Sequence, residues 1–530
     1  MRIISMLALS ALIVVSPIVL GAPAIAAPGL PLARSQTAVA CSGAPSGFGP
    51  VTSTVYLPNI TRRLGGPDGF FTPFIIQNTG AATTQLEVTF YLFSDGTCVE
   101  QYLVSNLAAG TAHSNDPNDT LRNPSLPDDA QFSVVVRSFG SSIVGVVNEH
   151  QHVSDLLRAE AMSYQGFNAG AKTVYLPNIT RKFFGVFDTP FIIQNLGGLI
   201  ASVSASFKPF DGVGPTVVIQ RTIDPGRAKP IDPDSDDPNL GAPGLADDKQ
   251  YAVTVTSNQD IAVVVNTQAD KPSVEHPVAW ATNGITTGGE TTYGAYASKN
   301  VLGLQSFYSP IIVQNLGTAA VTPKITFSPY ADFEFGEANT YTFPAIQPGF
   351  SKAFDPRFSF STQGTTNTVC GPGGTDCLKD GEYTFRIDAP GGRIAAQVNV
   401  SGGVTGRGYN ATVSPVEKLY APNVPKGLCF CPVPNLTAGW TGNIFLQSVT
   451  AASVTLRWYS ITTGALVRTD TFSIPSGRGL RRSPWQFDDI PPDRAYSVVI
   501  ETGGGTITAV IWEVERHADN SMMYEAFAGQ

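Results

Sequence analysis

The nine residues TVYLPNITR stand at 54–62 and return unchanged at 173–181. Each copy is followed by a second shared stretch, TPFIIQNTG at 72–80 and TPFIIQNLG at 189–197. That stretch recurs as SPIIVQNLG at 309–317 and, faded, as GNIFLQSVT at 442–450. Gln77, Gln194, Gln314 and Gln447 therefore mark four copies of one unit, with a period of roughly 120 residues. Other segments keep the register. AQFSVVVRS at 130–138 is matched by KQYAVTVTS at 249–257, GEYTFRIDA at 381–389 and RAYSVVIET at 494–502. The first segment is VYLPNI at 55–60 and 174–179, read as AYASKN at 295–300 and LYAPNV at 419–424.

Within a unit the pattern has period two. VTFYLF at 88–93, ASVSASFKPF at 201–210 and SVTLRWYS at 453–460 mix β-branched and aromatic residues with small or polar ones, as strands with one buried face do. In QNLG, Asn tolerates a left-handed backbone, and Gly80, Gly197 and Gly317 are expected to supply a positive φ. Pro58, Pro177 and Pro422 carry no N–H, so their segment is expected to be a sheet edge or a domain entry. A shared ligand would need the same groups in every copy, and the third copy lacks them. TVYLPNITR is therefore read as the first edge strand of a duplicated sandwich rather than as a ligand motif.

The sequence thus predicts an all-β protein of four tandem Ig-like antiparallel β-sandwich domains behind a cleaved signal peptide. The expected divisions are a signal peptide at 1–26, an N-terminal arm at 27–50, repeats at 51–170, 171–288 and 289–415, and a divergent repeat at 416–530. The signal reading rests on an apolar stretch after Arg2 that ends in Ala24-Ile25-Ala26, the small-x-small pattern of a cleavage site. No second apolar run reaches membrane-spanning length.

The repeats resemble the tandem immunoglobulin-like sandwich repeats of secreted and cell-surface bacterial proteins, a repeat family found in multiples on exported chains. The resemblance covers residues 50–530 and is carried by VYLPNI followed by TPFIIQNLG. It implies the sandwich architecture and, by analogy alone, a binding or adhesive role. The Cys…Trp…Cys pattern of antibody domains is absent.

Charged residues make up only 14 % of the chain and the net charge is −9, which argues against nucleic acid and anionic membranes as partners. Six cysteines in an exported chain should mostly pair, with fifteen connectivities open. Cys370 and Cys377 flank GPGGTD, a loop that closes easily, and Cys41 with Cys98 would staple the arm to the first repeat. Cys429 and Cys431 are one residue apart, an awkward spacing for a mutual bond, and could instead bridge to other cysteines or to another molecule.

No HExxH, GxSxG, phosphate loop or dinucleotide fingerprint occurs, and the chain is expected to be non-enzymatic. His150 and His152 in NEHQH could face one side of a strand, but no third ligand recurs beside them. Asp232, Asp234, Asp236 and Asp237 in DPDSDDPNLGAP begin with the spacing of a calcium loop, then lack its sixth-position Gly and twelfth-position Glu. Calcium is the one metal they suggest, against a solvated Asp/Pro loop. Of the five tryptophans, Trp458 and Trp512 lie in strand-like runs and should fill cores, whereas Trp440 and Trp485 are the candidates for an exposed sugar-stacking platform. N-x-[ST] sequons stand at Asn59, Asn118, Asn178, Asn399, Asn410 and Asn435.

The resulting expectation is a secreted or cell-surface spacer or adhesin, an extended array reaching on the order of 100–150 Å. Its partners would be an extracellular protein or glycan, or further copies of itself. A carbohydrate-binding protein and a self-assembling envelope subunit are the rival readings.

Overall fold

The computed structural model describes residues 36–42, 49–151, 160–269, 277–301, 307–332, 337–371, 374–402, 405–428, 439–515 and 521–529. Among them the protein is all β, built from several antiparallel sheets, with no α-helix. The expectations for residues 1–26 and for Cys429, Cys431, His152 and Asn435 lie outside the described residues.

Each sequence repeat uses the same pairings. Its opening strand, Ser53–Arg62, Ala171–Arg181, Thr291–Lys299 or Lys418–Leu428, pairs with the strand that carries the FSVVV-type run. Its anchor strand, Phe74–Asn78, Phe191–Asn195, Ile311–Asn315 or Trp440–Ser448, pairs with the hydrophobic strand that follows. In the second repeat one strand of 21 residues, Lys249–Ala269, does both jobs. Repeats one, three and four break at that point on a glycine-containing turn, FGSS, PGG or GGG, whereas the second repeat has SNQD and stays extended.

The structure accounts for TVYLPNITR residue by residue. The ladder slips by one residue between Leu57 and Ile60, and at the equivalent places Leu176/Ile179, Gly294/Ala297 and Ala421/Val424. Pro58, Pro177 and Pro422 sit in that bulge, where a missing N–H breaks no ladder bond. Tyr164 Oη accepts the backbone N–H of Asn59 at 3.1 Å and donates to its carbonyl at 2.7 Å. Tyr409 does the same for Tyr296, and Tyr524 for Asn423. The final basic residue is buried in all four repeats: Arg62, Arg181, Lys299 and Lys426 reach backbone carbonyls of the segment that leads into the strand paired with their own. This register corrects the third copy: Tyr293 in TTYGAYASK, not Tyr296, occupies the place of Tyr56.

QNLG works differently from the expectation. Gly80, Gly197 and Gly317 do not have positive φ. A Cβ at Gly80 would meet Ser141 Oγ at 1.8 Å, and one at Gly197 would meet Gln259 Oε1 at 2.4 Å. The turn is held by asparagine side chains: Asn78 donates to the carbonyls of Ala82 and Leu107 and accepts from Gly80 N–H, and Asn195 and Asn315 repeat the set.

The repeats contact one another in cyclic order. Ser133 Oγ donates to the carbonyl of Gly226 at 3.4 Å, Thr384 Oγ1 to that of Gly477 at 2.9 Å, and Ser497 Oγ to that of Gly110 at 2.9 Å. The last of these joins the fourth repeat to the first, as does Tyr420 Oη on the carbonyl of Thr79 at 2.6 Å. Gln314 and Gln447 each donate to the preceding repeat, at the carbonyls of Val253 and Phe385. Strands Ala161–Gln165, Val278–Asn283, Thr405–Asn410 and Ser521–Glu525 pack around the centre. Their last residues close a polar circle. Gln165 Nε2 donates to the Glu525 carbonyl, Asn283 Nδ2 to that of Gln165 and Asn410 Nδ2 to that of Asn283, while Glu525 Oε1 accepts the Asn410 N–H. The expected extended array is therefore corrected to a closed one, because the outer sheet of repeat four finds the turn of repeat one as its neighbour.

Disulfides join Cys41 to Cys98 and Cys370 to Cys377. Among the described residues no helix is long and apolar enough to cross a membrane.

Candidate functional site

The seam that closes the ring, between repeats four and one, contains a cavity of about 630 Å³. One wall is aromatic. His150 stacks on Phe71 with ring centroids 5.4 Å apart and meets Trp440 edge-on at 5.0 Å. Packing between these rings holds the His150 imidazole below its ordinary pKa, so it is neutral at pH 7. The other wall is polar. Glu513 is 1 % exposed and accepts from Asn423 Nδ2 at 3.0 Å on both oxygens and from Asn148 Nδ2 at 3.2 Å. Ser163 in turn orients Asn148, its hydroxyl donating to Oδ1 at 3.0 Å. Burial pushes the Glu513 carboxyl up to about 8. Asp116 also lines the cavity, and its pKa is raised by burial.

Why this seam is open follows from comparison with the seam between repeats three and four. There, Tyr296 and Tyr330 of repeat three meet Phe445 and Trp512 of repeat four, with Tyr296 4.6 Å and Trp512 5.6 Å from Phe445. The strand registers put Asn423 in the place of Tyr296, Asn148 in that of Trp512 and Ile75 in that of Phe445. Ile461, the residue after the paired stretch, stands in the place of Tyr330. Four aromatic side chains are thus replaced by smaller ones, and the space they would fill is the cavity.

Of the sequence-predicted site residues, Trp440 lies in this wall, but it is 8 % exposed rather than standing free. Trp485 lies elsewhere: its Nε1 donates to Thr441 Oγ1 at 2.9 Å, and Lys426 Nζ sits 5.1 Å from its ring centroid. Thr441 and Trp440 are neighbours on one strand, so their side chains leave opposite faces and the two tryptophans form no joint platform. Trp458 and Trp512 are buried, as their strand positions imply.

The four aspartates do not gather around one point. Asp232 accepts the N–H of Asp234 and Asp237 that of Asn239, while Asp234 pairs with Lys182 at 3.2 Å and Asp236 with Arg181 at 3.2 Å. The two basic residues at the end of TVYLPNITRK take up the charge expected for calcium. Among the described residues no group of three or more His, Cys, Asp and Glu is placed to hold a metal. Asn59, Asn178 and Asn399 are buried, so three of the sequons offer little or no side chain to solvent.

Sequence reading missed Glu513 and its counterpart Glu149, which accepts from Asn59 Nδ2 at 3.0 Å. The signal was present: NEH in repeat one and WEV in repeat four carry glutamate at a position where repeats two and three have Thr267 and Val400.

No protein-family model matches the chain, and no curated protein matches it. Among solved structures it is similar to the crystal structure of Thermotoga maritima 1070, at 20 % identity and a TM-score of 0.19, over 22 % of this chain and 94 % of that one.

Proposed function

We propose that the protein is a secreted, non-enzymatic binding protein of the cell surface or extracellular matrix, an adhesin that seats a group of an extracellular partner in the seam between its first and fourth repeats. In this reading residues 1–26 are a cleaved signal, and the four repeats are Ig-like sandwiches divided at 170/171, 288/289 and 415/416. Two disulfides support an oxidising location. The observation that carries the proposal is the cavity itself: concave, with an aromatic wall and a few convergent polar groups, in a protein whose equivalent seam is filled. Spacing by length fits less well, because the Ser497–Gly110 contact folds the array back on itself. Carbohydrate is the second reading for the partner, favoured by Trp440 in the wall.

The test is a screen of the secreted chain against extracellular polypeptides and glycans, repeated with Trp440→Ala. Binding that is lost in the variant, with the fold retained, supports the reading. Partners bound equally well by both proteins would remove the cavity from it.

A further inference from the structure

The filled seam contains a cation. Arg407 is fully buried, its guanidinium 4.2 Å from the Phe307 ring centroid and 3.7 Å from that of Trp512. Its Nη1 donates to Ser521 Oγ, and its Nε and Nη2 have no hydrogen-bond partner among the described residues. Two aromatic faces, one hydroxyl and the nearby buried carboxyl of Glu382 are therefore what this fold uses to hold a guanidinium between repeats.

In the open seam the same places are filled otherwise. Trp440 stands where Phe307 does, so the aromatic face is kept. Met522 stands where Arg407 does, so the internal cation is gone. Glu513 stands where Val400 does, so an acid has been added. That acid is buried, faces the cavity and is contacted by neutral amides. A buried carboxylate without a counter-charge is costly, and a cation brought in from outside would relieve that cost.

We propose that the open seam takes an organic cation, the guanidinium or ammonium of a basic side chain on an extracellular polypeptide, with its charge against Glu513 and its flank against Trp440 and His150. The proposal rests on the binding reading above and names the chemistry of its partner. Arg407 in the neighbouring seam is the internal counterpart of the bound side chain. None of the three arginines that line the cavity pairs with Glu513: Arg63 and Arg122 are engaged by Asp128 and Asp119, and Arg494 is exposed to solvent.

The experiment is a titration of the full secreted chain, followed by tryptophan fluorescence and calorimetry, with three probes. N-acetyl-arginine amide carries the cation, N-acetyl-citrulline amide is its neutral isostere, and glucose represents a neutral sugar. The expected result is saturable binding of the arginine probe, at least tenfold weaker binding of the citrulline probe, and a tenfold or greater loss with Glu513→Gln at a melting temperature no lower than that of the parent chain. Met522→Arg, which copies the filled seam, should block the probe without a ligand. Citrulline or glucose binding as tightly as arginine would overturn the cation assignment while leaving the binding reading in place. If none of the probes binds and Met522→Arg leaves partner capture untouched, the cation assignment falls, and an unchanged Trp440→Ala screen removes the binding reading separately.

Discussion

The seam between repeats three and four and the seam between four and one are made from equivalent strands in equivalent register, and they differ in what fills them. In the first, Tyr296, Tyr330, Phe445 and Trp512 pack ring against ring around a buried arginine. In the second, Asn423, Ile461, Ile75 and Asn148 leave about 630 Å³ empty, with a buried acid at its side. The backbone contact that fixes the geometry is common to both: Thr384 on Gly477 in one, Ser497 on Gly110 in the other, each 2.9 Å. A duplicated architecture can therefore fill one interface and leave its twin open by changing side chains at equivalent positions, because close packing leaves no other way to fill the space.

The largest effect should come from breaking the filled seam. Trp512→Ala removes a side chain that touches Tyr296, Phe307, Phe445 and Arg407, and should cost about 3–5 kcal/mol in denaturant unfolding. A loss well under 1 kcal/mol would mean that this seam is not packed as described. The complementary change, Asn148→Trp with Ile75→Phe, should fill the open seam and abolish capture of its partner, read by the binding screen.

A pH series sharpens the contrast from the acid side. Burial pushes Glu513 up to about 8, and burial with the nearby Glu160 pushes Glu149 up to about 8 as well. Both carboxyls hold a proton in the folded state that the unfolded chain releases near pH 4.5. Their contribution to stability is complete below that pH and is lost as pH rises towards 8. The melting temperature should fall between pH 5 and pH 8, and Glu149→Gln with Glu513→Gln should flatten the decline. An unchanged slope in the double variant would contradict the burial of these two acids.

The smallest effect tests the part the seams share. Ser497→Ala and Thr384→Val each remove one hydroxyl donor to a glycine carbonyl, and each should cost about 1 kcal/mol. Unequal losses in paired unfolding curves would show that the two seams are not equivalent in their backbone contacts.

Much of this fold was legible in the sequence. Period-two runs, three copies of the QN anchor and a faded fourth pointed to an all-β chain of repeated units, and Pro58 and Pro177 to edge strands, which the pairing of their strands bears out; Pro422 instead lies in a strand, Lys418–Leu428, with neighbours on both sides. The disulfide of Cys370 with Cys377 could be read from its short loop. The role of Gly80 could not, because the reason for it is Ser141, a residue distant in the chain that packs against its Cα. Ring closure was equally hidden: Ser497 and Gly110 are 387 residues apart, and neither stretch names its partner. The open seam depends on that closure, so Asn148 and Asn423 could not be recognised as cavity residues; the one available signal was Glu513, which accepts from both and whose place holds a glutamate again in repeat one but not in repeats two and three.

The central claim is that four repeats close on themselves, and small-angle scattering of residues 36–530 in solution tests it most directly. A closed chain of this size should give a radius of gyration close to the compact value of about 23 Å. A maximum dimension near the ~100–150 Å of an extended array of strands would contradict the closure, and with it the open seam.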